Sequence, residues 1–206
     1  MKPTLAIPTP ADLHGGLRRS LDTDAGASRI EAHADAVFGR VSHYRGAGLA
    51  NHCRRVGTIA GRLLEQRGVV MRRPLLYALA MVHDLGLLSP EEQGVNYLAR
   101  SLALFHREFP ARRFGLTPHE QRITDECLLY NHRLFPVPGL SAEAEAFREA
   151  VWIEHSRGHY RAGLDRSMVR EVFTAFPRAD FDWVLADFAR RVLVREPWTV
   201  VDGIFF

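Results

Sequence analysis

The chain has 206 residues, 47% of them apolar and 25% charged, with a formal net charge of +3. That balance fits one folded domain able to bury its own core and excludes an extensively disordered chain. So small a basic excess does not define a nucleic-acid-binding surface, and no apolar run approaches the roughly 18 residues of a membrane span. Neither nucleic acid nor a membrane is therefore an expected partner. Two cysteines, Cys53 and Cys127, are too few and too far apart for a disulfide framework or a zinc finger. The first residues lack a secretory h-region, so the expected location is cytoplasmic.

Residues 1–26 are rich in Pro, Gly and small side chains and read as an irregular arm, with 27–206 as a single helical domain. Ile30, Ala34, Val37, Phe38 and Val41 then recur at helical spacing behind Ser28, a candidate N-cap. NHCRRVGTIAGRLLEQRG is a second helix, with Val56, Ile59, Ala60, Leu63 and Leu64 on one face and Gly68 as its stop. RRPLLYALAMVHDLGLL carries Pro74 near its first turn and is apolar nearly all round. It is expected to be central and buried, and to carry His83 and Asp84.

VNYLARSLALFHREFPARRFG is a helix ended near Pro110. TPHEQRITDECLLYNHR opens with Thr117, Pro118 and Glu120, the pattern of a capping box, and SAEAEAFREAVWIEHSRG repeats it from Ser141. DRSMVREVFTAFP and DFDWVLADFARRVLVREP complete the series, with Asp165 and Asp180 as candidate caps. No alternating strand pattern and no internal repeat is present. The fold class is all-α, held by helix packing.

MVHDLGLL carries the chemistry. A charged Asp inside an apolar run needs a partner. His83 and Asp84 either bond into a core or hold a cation. His52, near the start of the preceding helix, and His132, at the end of a later one, are candidate further ligands. Imidazole with carboxylate suits a divalent transition metal (Fe, Mn, Zn or Ni) better than Ca or Mg. Of Arg54 and Arg55, one is expected to face the site and pair with phosphate or carboxylate. Cys53 and Cys127 read as packing residues. His155 and His159 share a helix face if the helix continues through both, giving a second metal site, an anion site or a polar rim. The apolar ending, with Trp198, Ile204, Phe205 and Phe206, is expected to dock on the domain or on a second copy, as in a homodimer.

NHCRRV, then ALAMVHDLGLL, then YNHR together resemble the HD-domain superfamily of metal-dependent hydrolases, from about Tyr44 to the carboxyl terminus. The branch most resembled includes relatives of cyanamide hydratase. The resemblance implies an HD-type helical bundle with His52, His83 and Asp84 as the first three metal ligands. This chain also departs from the pattern. The family's fourth ligand, an Asp, falls on Val151, while Glu154 keeps the second acidic position. A paired histidine is reduced to Asn131 and His132, and another acidic position falls on Ala99 or Arg100. His132 is then the expected fourth ligand, with His106 or Glu154 as alternatives.

The activity implied is hydrolysis of a small phosphorylated or similarly polar substrate by metal-activated water. Asp84 would bind the ion and orient the water, and Glu154 would serve as general base if it does not ligate. Arg55 or Arg133 would steady developing negative charge. Two further readings stay open. One is a di-iron oxygenase using His106 and His132, or a hydratase of a small molecule. The other is a metal-free helical binding protein, which Val151 favours.

Overall fold

Apolar residues at helical spacing produce a chain of helices with no strand among the described residues. The computed structural model describes residues 25–89 and 95–200. In order they are α1 (Ala25–Val41), α2 (Gly48–Arg67), α3 (Arg73–Val82), a 3₁₀ turn (Leu85–Leu87), α4 (Tyr97–Glu108), α5 (Ala111–Phe114), α6 (Pro118–Tyr130), α7 (Ala142–His155), α8 (Arg166–Ala175), α9 (Phe181–Arg195) and α10 (Pro197–Val200). None of the described helices is long and apolar enough to cross a membrane.

Two helices form the centre. α3 is buried at every position from Pro74 to Val82 except Tyr77, as its uniformly apolar sequence requires. It packs against α1, α2, α4 and α6. α2 packs against α3, α7, α8 and α9, through Leu49, Cys53, Val56, Ile59, Ala60 and Leu63, each at most 1% exposed. Each of the Leu, Val and Ile side chains among them contributes roughly 1.5–3 kcal/mol of burial. A Cβ on Gly57 would come within 3.0 Å of Ala80 Cβ, so α2 and α3 approach closely. That contact sets the two histidine-bearing helices side by side.

Capping follows the sequence in most places. Thr117 and Glu120 form the full capping box, Asp165 accepts from Ser167 N, and Gly68 ends α2 at φ 64°. Ser141 caps α7, but Ala144 stands where a box needs an acidic residue, so the motif is only half made. α1 already runs at Ala25, so Ser28 lies inside the helix and the expected start at 27 shifts. Residues 1–24, most of the expected arm, lie outside the described residues, as do 201–206 with Ile204, Phe205 and Phe206. Trp198 is 45% exposed.

Three local expectations change. α3 ends at Val82, so His83 is its C-cap and Asp84 stands beyond the helix, before the 3₁₀ turn. Asp180 sits at the start of α9 without capping it; its carboxylate accepts from Gly48 N at 2.7 Å and holds the start of α2 instead. α7 stops at His155 because Arg157 and Gly158 turn left-handed, with φ of 54° and 77°. His155 and His159 therefore share no helix face, and His159 is exposed.

Candidate metal centre

His52 lies in the second turn of α2 and points into the interface with α3. His83 ends α3, and Asp84 follows where the chain leaves the helix. His52 and His83 are fully buried, and Asp84 is 4% exposed. His52 Nε2 is 3.1 Å from His83 Nε2 and 3.2 Å from Asp84 Oδ2. His83 Nε2 is 3.4 Å from the same oxygen. For metal bonds of roughly 2.1 Å, ligands at 90° stand about 3.0 Å apart, and at the tetrahedral angle about 3.4 Å. All three separations fall within that interval.

The other ring nitrogens face acceptors that favour protons on Nδ1. His83 Nδ1 donates to Ala80 O at 2.8 Å. His52 Nδ1 lies 2.9 Å from Glu154 Oε2, close though not aligned as an ideal hydrogen bond. With protons on Nδ1, both Nε2 lone pairs and a carboxylate oxygen face one point. Such a cluster is repulsive unless a proton or a metal cation sits among them, which is the fit expected of a metal site. The donor set, two imidazoles and one carboxylate, suits a divalent transition ion.

The electrostatics favour a neutral His83 beside an ionised Asp84 and draw a proton toward His52. Burial lowers His83 to about 4. Burial opposes ionisation of Asp84, but His83, His132 and His52 outweigh it and hold the carboxyl well below its usual range. His52 is also opposed by burial, yet Glu154 and Asp84 raise it above 6.5. Phe181 of α9 stacks on the His52 ring, with centroids 4.1 Å apart and planes 8° apart, which fixes the ring's tilt.

Glu154 stands behind His52, away from the converging atoms. It is fully buried and holds three guanidinium contacts on Oε1: Arg55 Nε at 3.0 Å, Arg55 Nη2 at 2.6 Å and Arg178 Nη1 at 2.8 Å. Burial would raise its pKa, but His52, His155 and Arg55 pull it below the usual carboxylate range. Oε1 is thus engaged, and Oε2 lies 2.9 Å from His52 Nδ1 on the side away from His83 and Asp84. Glu154 orients His52 and neutralises Arg55; it is placed neither as fourth ligand nor as general base. Arg55 is committed too, since its Nη1 also donates to Phe176 O at 2.7 Å. Fully buried and paired with Glu154, it is turned to the core rather than toward a substrate's developing charge.

His52, Glu154 and His155 form a second cluster of ligand atoms. A cation there would sit beside the Arg55 and Arg178 guanidiniums, and His155 Nδ1 already donates to Val151 O at 2.9 Å. The first cluster is therefore the metal candidate. Among the described residues, no fourth His, Cys, Asp or Glu joins it, which leaves a coordination position open as catalytic sites require. His132 borders that side, with Nε2 3.4 Å from Asp84 Oδ1, the oxygen turned away from the two histidines. The His155 ring lies 5.4 Å from that of His132 and 5.5 Å from that of His52.

The remaining sequence candidates fall elsewhere. His106 pairs with Asp125 at 2.8 Å and is 47% exposed on the surface, which removes it from any ligand set. Arg133 lies over the Tyr130 ring at 5.7 Å, and its Nε and Nη1 are buried without a hydrogen-bond partner. Val151 is core, 1% exposed. Phe181, Arg178 and the placement of His155 against His52 were not foreseen. For His155 the available signal was its place one helical turn after Val151 and next to Glu154. No match was found to any protein-family profile, curated protein or solved structure.

Proposed function

We propose that the chain is a metal-dependent hydrolase of the HD type, acting on a small phosphorylated or similarly polar substrate. One observation carries this reading: two Nε2 atoms and one carboxylate oxygen converge within 3.4 Å of one another in a buried position. A bound divalent transition ion would supply Lewis acidity and lower the pKa of bound water. His52, His83 and Asp84 would hold it, and Glu154 would keep His52 in the Nδ1–H tautomer. Asp84 Oδ1, on the His132 side, marks the edge where a reacting water or substrate oxygen would be oriented. Arg133, whose Nε and Nη1 have no hydrogen-bond partner, would be the cationic group for substrate charge. Two free buried cysteines suit a reducing cytoplasm.

A second reading has its own observation. The raised pKa of His52 allows a proton to satisfy the cluster, which fits a metal-free binding protein. The test is elemental analysis after anaerobic purification, paired with hydrolysis of bis(p-nitrophenyl) phosphate under added Mn, Zn, Fe or Ni. The proposal expects about one transition metal per chain and metal-dependent hydrolysis lost in His83→Ala. No retained or acquired metal supports the proton-filled reading. Two irons with dioxygen uptake would replace hydrolysis by oxygenase chemistry.

A further inference from the structure

The turn that presents Asp84 is gripped by α4. Ser101 Oγ donates to His83 O at 2.6 Å and accepts from Gly86 N at 2.9 Å. Arg100 Nε donates to Gly86 O at 3.0 Å. Gly86 permits this grip, because a Cβ there would fall 2.0 Å from Tyr97 O. Arg100 is only 6% exposed, so its charge needs a partner. That partner comes from far along the chain: Arg100 Nη2 donates to Glu196 Oε1 at 2.5 Å, while Nη1 donates to Val95 O at 2.6 Å.

Glu196 is the C-cap of α9 and is 7% exposed. Between Phe188 and Glu196 no residue of α9 is buried, and Leu193 and Val194 are 62% and 72% exposed. Glu196 is thus the one buried anchor at the far end of that helix. The near end carries Phe181, stacked on His52. A helix of this length spans roughly 22 Å at 1.5 Å per residue, so α9 reaches from His52, through Phe181, to Arg100 of α4, through Glu196.

We infer that Arg100 is a positioning residue for the His83–Asp84 turn and that Glu196 latches it, making the geometry of the metal centre depend on docking of α9. The coupling stands on contacts alone; its effect on metal binding rests on the function proposed above. Loss of the latch frees the guanidinium that holds Gly86 O, and the turn after Asp84, the Gly86 N–H bond to Ser101 included, opens more readily.

The test is amide hydrogen exchange on the full-length protein, with Co²⁺ titration alongside. Glu196→Gln removes the charge with little change of shape, and Arg190→Gln, on an exposed face of α9, is the control. Glu196→Gln is expected to speed exchange at the Gly86, Leu87 and Leu88 amides about tenfold or more and to weaken Co²⁺ binding about tenfold. Arg190→Gln is expected to change neither. Arg100→Met, which cuts all three bonds, should exceed Glu196→Gln; if it does not fold, Glu196→Gln decides alone. Faster exchange confined to 181–196, with 86–88 unchanged, overturns the latch even if wild-type protein binds Co²⁺. Faster exchange at 86–88 in a protein that binds no Co²⁺ sustains the latch and removes the metal-centre reading.

Discussion

Replacing Glu154 by Gln separates its two tasks. The amide keeps the shape and one acceptor oxygen but loses the charge. Three guanidinium contacts converge on Oε1, at 3.0, 2.6 and 2.8 Å. Hydrogen bonds to a charged group contribute about 1.5–3 kcal/mol, and neutral ones about 0.5–1.5. Losing about 1 kcal/mol at each contact gives roughly 3 kcal/mol, near the 3–5 kcal/mol typical of a buried ion pair broken on one side. For a chain of this size that corresponds to a fall in Tm of roughly 6–12 °C. His52 also loses the carboxylate that fixes its tautomer, so metal affinity should fall about 10–100-fold. Calorimetry gives the first number and Co²⁺ titration the second. A Tm within about 2 °C of wild type, with unchanged affinity, would refute both the network and the orienting role.

Gly86→Ala forces a Cβ into Tyr97 O and the Ser101 backbone; denaturant unfolding should show a loss above about 2 kcal/mol, or no soluble protein. His106→Ala removes one exposed pair and should shift stability by under about 1 kcal/mol, with metal content unchanged on elemental analysis. The pH dependence of chelator-treated protein follows from the buried histidines. Burial holds His83 at about 4 and His155 at about 3, both below their unfolded value of 6.5. The unfolded chain therefore binds more protons between about pH 4 and 6.5, and stability should fall on acidification through that window. Asp84 and Glu154, held low, extend the loss further into acid. His52, raised above 6.5, acts oppositely: its stabilisation is complete below 6.5 and is lost as pH rises through its folded value. Urea midpoints that stay flat from pH 4.5 to 6.5 would contradict the buried neutral state of His83.

The helical architecture was legible because apolar periodicity is local. The uniform apolarity of α3 announced its central place, and the Thr117–Glu120 box and Gly68 announced their helix ends. His83 and Asp84 were legible as a pair needing a partner, with His52 and His132 as candidates; the set with His52 came from the resemblance to the HD-domain superfamily. What escaped depends on packing. Asp180 was read as a cap for its own helix, and nothing local says that its carboxylate reaches Gly48. Glu154 was read toward the metal, because side-chain direction at the end of α7 depends on Arg55 and Arg178 arriving from other elements. His155 and His159 were paired by helical spacing that Arg157 and Gly158 interrupt. Arg100 was noted only as a departure from the family's acidic position, and nothing local points to a partner 96 positions away.

The central claim is that imidazoles 52 and 83 and carboxylate 84 share one divalent cation. Anomalous diffraction from crystals grown with Zn²⁺, recorded at the zinc edge, tests it most directly. The account predicts one peak per chain, about 2.1 Å from His52 Nε2, His83 Nε2 and Asp84 Oδ2, and none at that place in His83→Ala crystals. A map with no peak there, or with its peak between His52 Nδ1, Glu154 and His155, would contradict it.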